Sequence, residues 1–211
     1  MRKTAGASSL RVTSLFPPFD AARFRTESPV DVALEEMTPA HEAELKRVVE
    51  VSEIWRNPHT HVPTPGEVPN FISMALSDTL KGGTRAFVVR WATVVGGACE
   101  SKIVGCTRFF HLNLKHRRVQ IGGTWLTHSA RRTGVNRAVK WILLKEAFEV
   151  MNLQRVEFAL HPDNIESRKA MLRIGASFEG VLRQHLIIDN QPRDTAMYSV
   201  VRADWIAGLP R

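Results

Sequence analysis

The sequence predicts an α+β domain whose centre is a mixed, largely antiparallel sheet of about seven strands, with helices on both faces. Three observations predict this fold. Two segments within residues 38–80 have apolar residues at helical spacing, a run of alternating segments follows, and the last third of the chain alternates between strand and helix patterns. This order is typical of α+β domains. The length of 211 residues and the hydrophobic fraction of 44% are enough for one well-packed domain.

Turn and capping residues set the bounds of the predicted elements. Thr38 and Pro39 predict a helix start, since Thr suits the N-cap and Pro suits the first helical position. The pair Gly96–Gly97 predicts a hairpin. The predicted elements are, in order, a strand over 30–35, helices over 39–51 and 68–80, strands over 85–95, 102–112 and 117–127, a long helix after residue 134, a strand over 154–160, a helix over 164–174, and strands over 178–188 and 195–201.

The chain is expected to hold a single domain over residues 30–207. Residues 1–29 contain three prolines and no clear apolar period, so they are predicted to be an N-terminal extension that wraps the domain or stays flexible. Residues 208–211 are a tail. We find no internal repeat and no low-complexity tract.

Composition argues against several classes of protein. No apolar run approaches the ~18 residues that a membrane span needs, and the first 15 residues lack the apolar core of a secretory signal. Cys99 and Cys106 are too few for a disulfide framework and lack metal-ligand spacing. His59 and His61 have no third ligand nearby, so a surface loop is favoured over a metal site. We therefore expect a cytoplasmic protein with reduced thiols, no metal and no membrane contact.

The segment 131–136 is the most informative part of the chain, because it joins a predicted strand to the long helix. It contains Gly134 and opens a helix whose first backbone N–H groups have no partner inside the helix. Such N–H groups, together with the helix dipole, favour an anion such as pyrophosphate. The pattern therefore predicts a phosphate site at this turn.

Charge around this turn strengthens the prediction. The formal net charge is +8, and there is no Asp or Glu from Ser101 to Lys145. A field of one sign concentrates anionic ligands, although a solvated basic face is the plainer alternative. The basic residues of this stretch are Lys102, Arg108, Lys115, Arg117, Arg118, Arg131, Arg132, Arg137, Lys140 and Lys145.

Five short segments together resemble one enzyme family. They are residues 121–126 (IGGTWL), 131–136 (RRTGVN), 155–158 (RVEF), 164–168 (NIESR) and 175–183 (GASFEGVLR). In combination they are similar to the GNAT N-acetyltransferases, and most to the branch that includes the ribosomal-protein N-terminal acetyltransferases. The likeness runs from about Val30 to Trp205 and is strong from Arg117 onward.

This resemblance implies acetyl-CoA as the cofactor. The backbone amides of Arg132, Thr133, Gly134, Val135 and Asn136 would cradle the CoA pyrophosphate. Arg131, Arg132 and Arg168 would pair with its phosphates, because the arginine fork matches phosphate geometry. The family also parts the strand that ends near Leu126 and Thr127 from the strand over 154–160, and the pantetheine arm lies in that gap. Gly122 and Gly123 are consistent with a bulge beside it, or with close packing.

The resemblance also implies catalytic roles, with departures from the family pattern. The backbone N–H of Leu126 or Thr127 would hold the oxyanion, and Asn164 would hold the cofactor from the start of its helix, where it also suits an N-cap. Many relatives use a tyrosine to protonate the leaving thiolate. Met171 stands at that position here, so Ser167 is the candidate acid, with an ordinary helix-surface serine as the alternative.

The general base is the least defined part of the predicted site. Gln120 and Ala138 stand where relatives often have glutamates, which leaves Glu157 as the nearest candidate. Glu157 is equally consistent with a structural salt bridge, because Arg155 points to the same side of the strand. His111 and His128 are further candidates, and a chain of water molecules is another route for the amine proton.

The predicted function is transfer of an acetyl group from acetyl-CoA to a primary amine, either a protein N-terminus or a small molecule. The alternative is a catalytically weak or inactive acyl-CoA-binding sensor or scaffold with the same fold. Nucleic-acid binding is disfavoured because Phe109, Phe110 and Trp125 lie in apolar strand patterns. The acceptor pocket is expected between the helices of 38–80 and the last hairpin, including Asp194. A homodimer is left open.

Overall fold

One twisted sheet organises the part of the chain that the computed structural model describes, which is residues 15–26, 31–56, 62–188 and 190–209. Its eight strands are β1 Arg25–Thr26, β2 Val32–Glu36, β3 Arg85–Val95, β4 Ala98–Asn113, β5 Arg118–Leu126, β6 Arg155–Leu160, β7 Ser177–Ile188 and β8 Gln191–Val201. They lie in the order β1-β2-β3-β4-β5-β6-β8-β7. Neighbouring strands pair antiparallel except β5 and β6, which are parallel. The predicted fold class is therefore confirmed.

The α-helices of the described residues are α1 Glu42–Ser52, α2 Val68–Leu80, α3 Val135–Lys145, α4 Ile165–Arg173 and α5 Arg202–Ala207. Four of the five helices lie close to their predicted positions, and α5 was not predicted. A 3-10 turn over Pro39–His41 precedes α1, and α3 continues into a π-helical turn over Glu146–Val150. None of the described helices has both the length and the apolar composition that a bilayer span requires.

The one strand beyond the predicted seven is β1, which comes from the predicted N-terminal extension. β1 pairs with β2, and Phe16 and Phe24 are buried in the same core as Phe87 and Phe109. The rings of Phe24 and Phe87 are stacked with centroids 5.1 Å apart. Two aromatic side chains and a two-residue strand leave no period in the sequence, which explains why the sequence predicted only an extension that wraps the domain or stays flexible, and not which of its residues pack.

Helices cover both faces of the sheet, as predicted, and each face has its own core. On one face, Leu45 of α1 and Ile72 of α2 pack with Val88 and Trp125. On the other face, α3, α4 and α5 pack against residues such as Val119 and Phe158. A ligand that passes between two strands of this sheet would therefore contact both the α1–α2 layer and the α3–α5 layer.

The pairing between β5 and β6 ends early. Only three residue pairs are in register, from Arg118 with Arg155 to Gln120 with Glu157. Beyond this point β5 runs on to Leu126 and β6 to Leu160 without pairing to each other. The parted strands that the family resemblance implied are therefore present, and we call this opening the β5–β6 gap.

A bulge in β5 lies beside the gap. The β4 residue Cys106 pairs with Trp125, whereas Arg108 pairs with Gly122, so two residues of β5 oppose the single residue Thr107. Gly123 in this bulge has φ of 57°, a left-handed conformation that favours glycine. The bulge predicted at Gly122 and Gly123 is thus confirmed.

Candidate functional site

A turn of unpaired backbone amides joins β5 to α3. Gly134 caps α3 with φ of 95°, and Arg132 also has a positive φ of 62°. Several backbone N–H groups of this turn donate to no acceptor within the described residues: those of Arg132, Thr133, Gly134, Asn136 and Arg137. The Val135 N–H has only a long contact of 3.5 Å to Thr133 Oγ1. Converging unpaired amides at a helix start are suited to a phosphate.

Two arginines of the same turn differ in how they are held. Arg131 donates from Nε to the carbonyl oxygen of Leu126 at 3.2 Å, which leaves its terminal nitrogens available. Arg132 is 85% exposed and lies 3.9 Å from Glu166 at the start of α4. Both side chains therefore stay available to an anion on the turn. The contact with Glu166 also shows that the turn and the start of α4 lie side by side.

The long acid-free stretch does not form one basic surface. Lys140 is only 4% exposed, Arg117 donates to the carbonyl of Asn152, and Arg118 pairs with Glu157. Strand residues alternate between two faces, and helix residues point in all directions, so neighbours in sequence are separated in space. The prediction of a single field over this whole stretch was wrong, and the positive charge at the turn comes from a few arginines.

The end of β5 offers one backbone donor to the gap. The N–H of Thr127 donates to the carbonyl of Val104 at 2.8 Å, so it is used within the sheet. Adjacent strand residues direct their N–H groups to opposite sides, so the N–H of Leu126 faces the gap. The prediction that the N–H of Thr127 holds the oxyanion was therefore wrong. The N–H of Leu126 remains the candidate donor.

The start of α4 presents a capped helix with a spare hydroxyl. Asn164 accepts the backbone N–H of Ser167 through Oδ1 at 3.0 Å, which is the expected N-cap bond. Ser167 is half-buried, and its hydroxyl has no hydrogen-bond partner among the residues described. The serine is therefore not tied back to its own helix. Its role as the acid stays a prediction.

Arg168 is held mainly by protein groups. Its Nε donates to the hydroxyl of Tyr198 at 3.0 Å, and a terminal nitrogen donates to the carbonyl of Pro162 at 3.1 Å. The first bond joins α4 to β8, and the second joins α4 to the loop that precedes it. The structure assigns Arg168 a packing role, and its predicted contact with phosphate would rest on its remaining nitrogen.

Glu157 is engaged by two arginines. Its side chain is 12% exposed, and its two oxygens accept from Arg118 at 2.8 Å and from Arg155 at 3.0 Å. This geometry favours the structural alternative over the general base. Of the histidines, His111 is exposed beside Gln120, and His128 lines a cavity of about 520 Å³ next to α1.

A buried lysine under the bulge was not predicted as part of the site. Lys140 of α3 donates from Nζ to Thr124 at 2.6 Å, and Thr124 is bonded to Thr107 at 2.8 Å. Its Nζ lies 5.9 Å from the ring centroid of Phe158 on β6. Burial lowers the pKa of Lys140 to about 7, because no opposite charge replaces its hydration. Its position among the apolar residues of α3 was the available signal.

A second cavity lies on the opposite side of β5, against α2. It has a volume of about 210 Å³, and its lining includes Phe71, Arg108, Phe110 and Gly123. This cavity lies on the α2 side, where the acceptor pocket was expected, and its use by an acceptor stays a prediction. Asp194 instead accepts the backbone N–H of Gln184 at 2.8 Å inside the last hairpin, which lines neither of these two cavities.

The two cysteines add no chemistry to this site. Cys106 is fully buried in β4, where burial raises the pKa of its thiol, and Cys99 is exposed and free. His59 and His61 lie outside the described residues. No group of residues suited to a metal ion occurs within the described residues.

Comparison with known proteins identifies the family. Residues 31–177 match the model of the GNAT acetyltransferase domain. The chain belongs to the GNAT acetyltransferase family. The match covers strands β2 to β6, the amide turn and α4, so the predicted resemblance is confirmed.

Two relatives from Bacillus subtilis (strain 168) are similar over about half of this GNAT chain. The uncharacterized N-acetyltransferase YoaA is 30% identical over 114 residues, which are 54% of this chain and 63% of YoaA. YdaF, named as a candidate ribosomal N-acetyltransferase, is 27% identical over 106 residues, which are 50% of this chain and 57% of YdaF. The matched part is therefore less than two thirds of each relative.

Solved structures share the fold over most of the chain. A probable GNAT acetyltransferase from Chromobacterium violaceum superposes with a TM-score of 0.74 at 22% identity, covering 98% of both chains. The microcin C7 self-immunity acetyltransferase MccE, solved in complex with acetyl-CoA and AMP, has a TM-score of 0.68 at 20% identity. It covers 81% of this chain and 92% of MccE.

Proposed function

We propose that this GNAT protein is an N-acetyltransferase that transfers an acetyl group from acetyl-CoA to a primary amine by direct attack in a ternary complex. One observation carries the proposal. The amide turn follows the end of β5, and Gly123 of the same strand, beside the β5–β6 gap, lines the cavity against α2. A donor held at the turn and an acceptor in the cavity would therefore meet across the same strand.

The residues present fit acetyl-CoA. The unpaired amides of the turn suit its pyrophosphate, and the exposed Arg132 and the spare nitrogens of Arg131 add positive charge. The unpaired edges of β5 and β6 offer backbone hydrogen bonds to its amide-containing arm. MccE, which has this fold, was solved with the same molecule.

The chain itself would supply few catalytic groups. The N–H of Leu126 faces the gap and would stabilise negative charge on the acyl oxygen. The Ser167 hydroxyl would donate a proton to the leaving sulfur, and Asn164 would order that end of the cleft. Glu157 is held between two arginines, so we assign removal of the amine proton to water.

The acceptor is a primary amine, on a protein N-terminus or a small molecule. The candidate ribosomal relative YdaF supports the protein N-terminus. The cavity of about 210 Å³ against α2 would receive the amine end of the acceptor. Either acceptor would therefore insert its amine and the first few atoms.

The test measures free CoA from acetyl-CoA with a thiol-reactive dye, using a panel of small amines and short peptides with free N-termini. We expect CoA release that depends on the amine, with a matching mass increase of one acetyl group on the acceptor. Tight acetyl-CoA binding without release for any amine would instead favour the sensor or scaffold alternative.

A further inference from the structure

Arg108 differs from the other inward-facing arginines of this protein. It lies half-buried on β4, with its guanidinium carbon 4.5 Å from the ring centroid of Phe71 and 6.0 Å from that of Phe110. It donates no hydrogen bond to any residue in the described ranges. By contrast, each other buried or half-buried arginine there donates to a protein acceptor: Arg23, Arg85, Arg90, Arg117, Arg118, Arg155, Arg168 and Arg202.

The carboxylates near Arg108 have other partners. Glu67 lines the same cavity, but its carboxylate accepts from the backbone N–H and hydroxyl of Thr64. Asp78 acts on Arg108 only through space, and it pairs with Lys81 at 3.0 Å. Burial lowers the pKa of Arg108, because its guanidinium loses hydration on this strand. A buried charge that has no opposite charge beside it destabilises the folded protein.

The position of Arg108 joins it to the reaction site. A Cβ atom placed on Gly123 would lie 3.6 Å from Cδ of Arg108 and 3.3 Å from the Phe110 ring. Gly123 is the bulge residue of β5, whose other side borders the gap. The guanidinium therefore sits in the wall of the cavity through which an amine would approach.

Ring contacts leave the donors of Arg108 available. A guanidinium that lies over aromatic faces keeps its N–H groups directed outward in its own plane. That plane is complementary to the two oxygens of a carboxylate. Because Arg108 lies beside Gly123 of the bulge, we expect the carboxylate to lie only a few bonds from the amine.

We propose that Arg108 binds a carboxylate of the acceptor, so that the substrate is an amine that carries a carboxylate a few atoms away, such as an amino acid or a peptide with an acidic first residue. This inference rests on the proposed function. It agrees with the preference for acidic or neutral acceptors that the formal charge of +8 favours.

The experiment compares β-alanine with β-alaninamide, and an Asp-initiated peptide with its Asn-initiated counterpart. Each pair is measured in the wild type, Arg108→Gln and Arg108→Lys, with Arg173→Gln as the control, since Arg173 is an exposed arginine at the end of α4. We expect kcat/KM to favour the acid at least about tenfold in the wild type, because hydrogen bonds to charged groups are strong. Arg108→Gln removes this preference, and Arg108→Lys keeps part of it.

Binding without turnover separates this inference from the proposed function. Calorimetry of the same pairs in the presence of CoA reads the carboxylate preference even when no acetyl is transferred. Preferential binding of the acids that depends on Arg108, without CoA release, supports the carboxylate site and counts against the transferase. Equal binding and turnover of acid and amide in the wild type overturns the carboxylate site. Acetyl-CoA binding to Arg108→Gln reports whether that variant is folded. If Arg108→Gln does not fold, Arg108→Lys is compared with the wild type in its place, and a reduced carboxylate preference is expected.

Discussion

Replacing Lys140 with methionine should stabilise the protein at neutral pH. Lys140 is 4% exposed, and its ammonium donates to Thr124 but to no carboxylate among the described residues. Methionine has a similar length, needs no hydration and suits an apolar core. The variant therefore removes a buried charge and leaves Thr124 bonded to Thr107.

The size of the effect follows from the pKa. Burial lowers the pKa of Lys140 from 10.5 to about 7, which at about 1.4 kcal/mol per pH unit corresponds to about 5 kcal/mol. Loss of the bond to Thr124 offsets about 1 kcal/mol of this gain. We expect Lys140→Met to raise the free energy of unfolding by about 3 to 4 kcal/mol at pH values of about 7 and below.

The pH dependence gives the sharper test. Between about pH 7 and pH 10.5 the unfolded chain holds a proton on Lys140 that the folded protein lacks, so wild-type stability rises with pH in this window. Methionine does not titrate. The advantage of Lys140→Met should therefore shrink through this window and be lost near its upper end.

Urea unfolding followed by tryptophan fluorescence at several pH values measures this advantage. Lys145→Met is the matched control, because Lys145 is exposed on the same helix. A Lys140→Met variant that is less stable than the wild type at every pH, or whose advantage does not change with pH, would refute the reasoning.

Three further substitutions test single residues. Ser167→Ala should lower turnover by about 10²-fold or more, the usual range for a lost general acid, while acetyl-CoA affinity measured by calorimetry stays nearly constant; unchanged turnover would assign the proton to water. Glu157→Gln should lower the unfolding free energy by about 1 to 3 kcal/mol, because it removes the charge between Arg118 and Arg155. The same variant should leave turnover nearly unchanged. A turnover loss beyond about 10²-fold would instead identify Glu157 as the general base. Phe24→Ala should cost about 3 to 5 kcal/mol in urea unfolding, since its ring is fully buried against Phe87; a cost near zero would show that the N-terminal segment does not contribute to the core.

Local patterns in the sequence were enough to predict the position and type of most helices and strands. The helix start at Thr38 and Pro39 and the hairpin at Gly96–Gly97 follow from short-range conformational preferences. The bulge and the parted strands were foreseen only through the family resemblance, since Gly122 and Gly123 alone were also consistent with close packing.

The features that were missed depend on contacts between distant parts of the chain. The burial of Phe16 and Phe24 depends on the edge of the sheet at β2, and the sequence of residues 1–29 does not show that this edge is open to them. The engagement of Thr127 by Val104 and of Glu157 by Arg118 depends on strand order and register. The separation of Arg108 from the phosphate turn likewise follows from which face of β4 it occupies. Side-chain availability, rather than residue type, is what sequence patterns could not supply.

The amide turn before α3 supports the whole functional account, and one calorimetric comparison tests it. Acetyl-CoA is titrated into the wild type, Gly134→Asn and Gly134→Asp, two variants of equal size that bear the same backbone strain at φ of 95° but differ by one charge. Two unit charges about 4 Å apart interact by about 4 kcal/mol at the effective dielectric constant of a protein surface. We predict that Gly134→Asp binds acetyl-CoA at least about a hundredfold more weakly than Gly134→Asn. Equal affinities of the two variants, or a wild type that does not bind acetyl-CoA, would contradict the phosphate site.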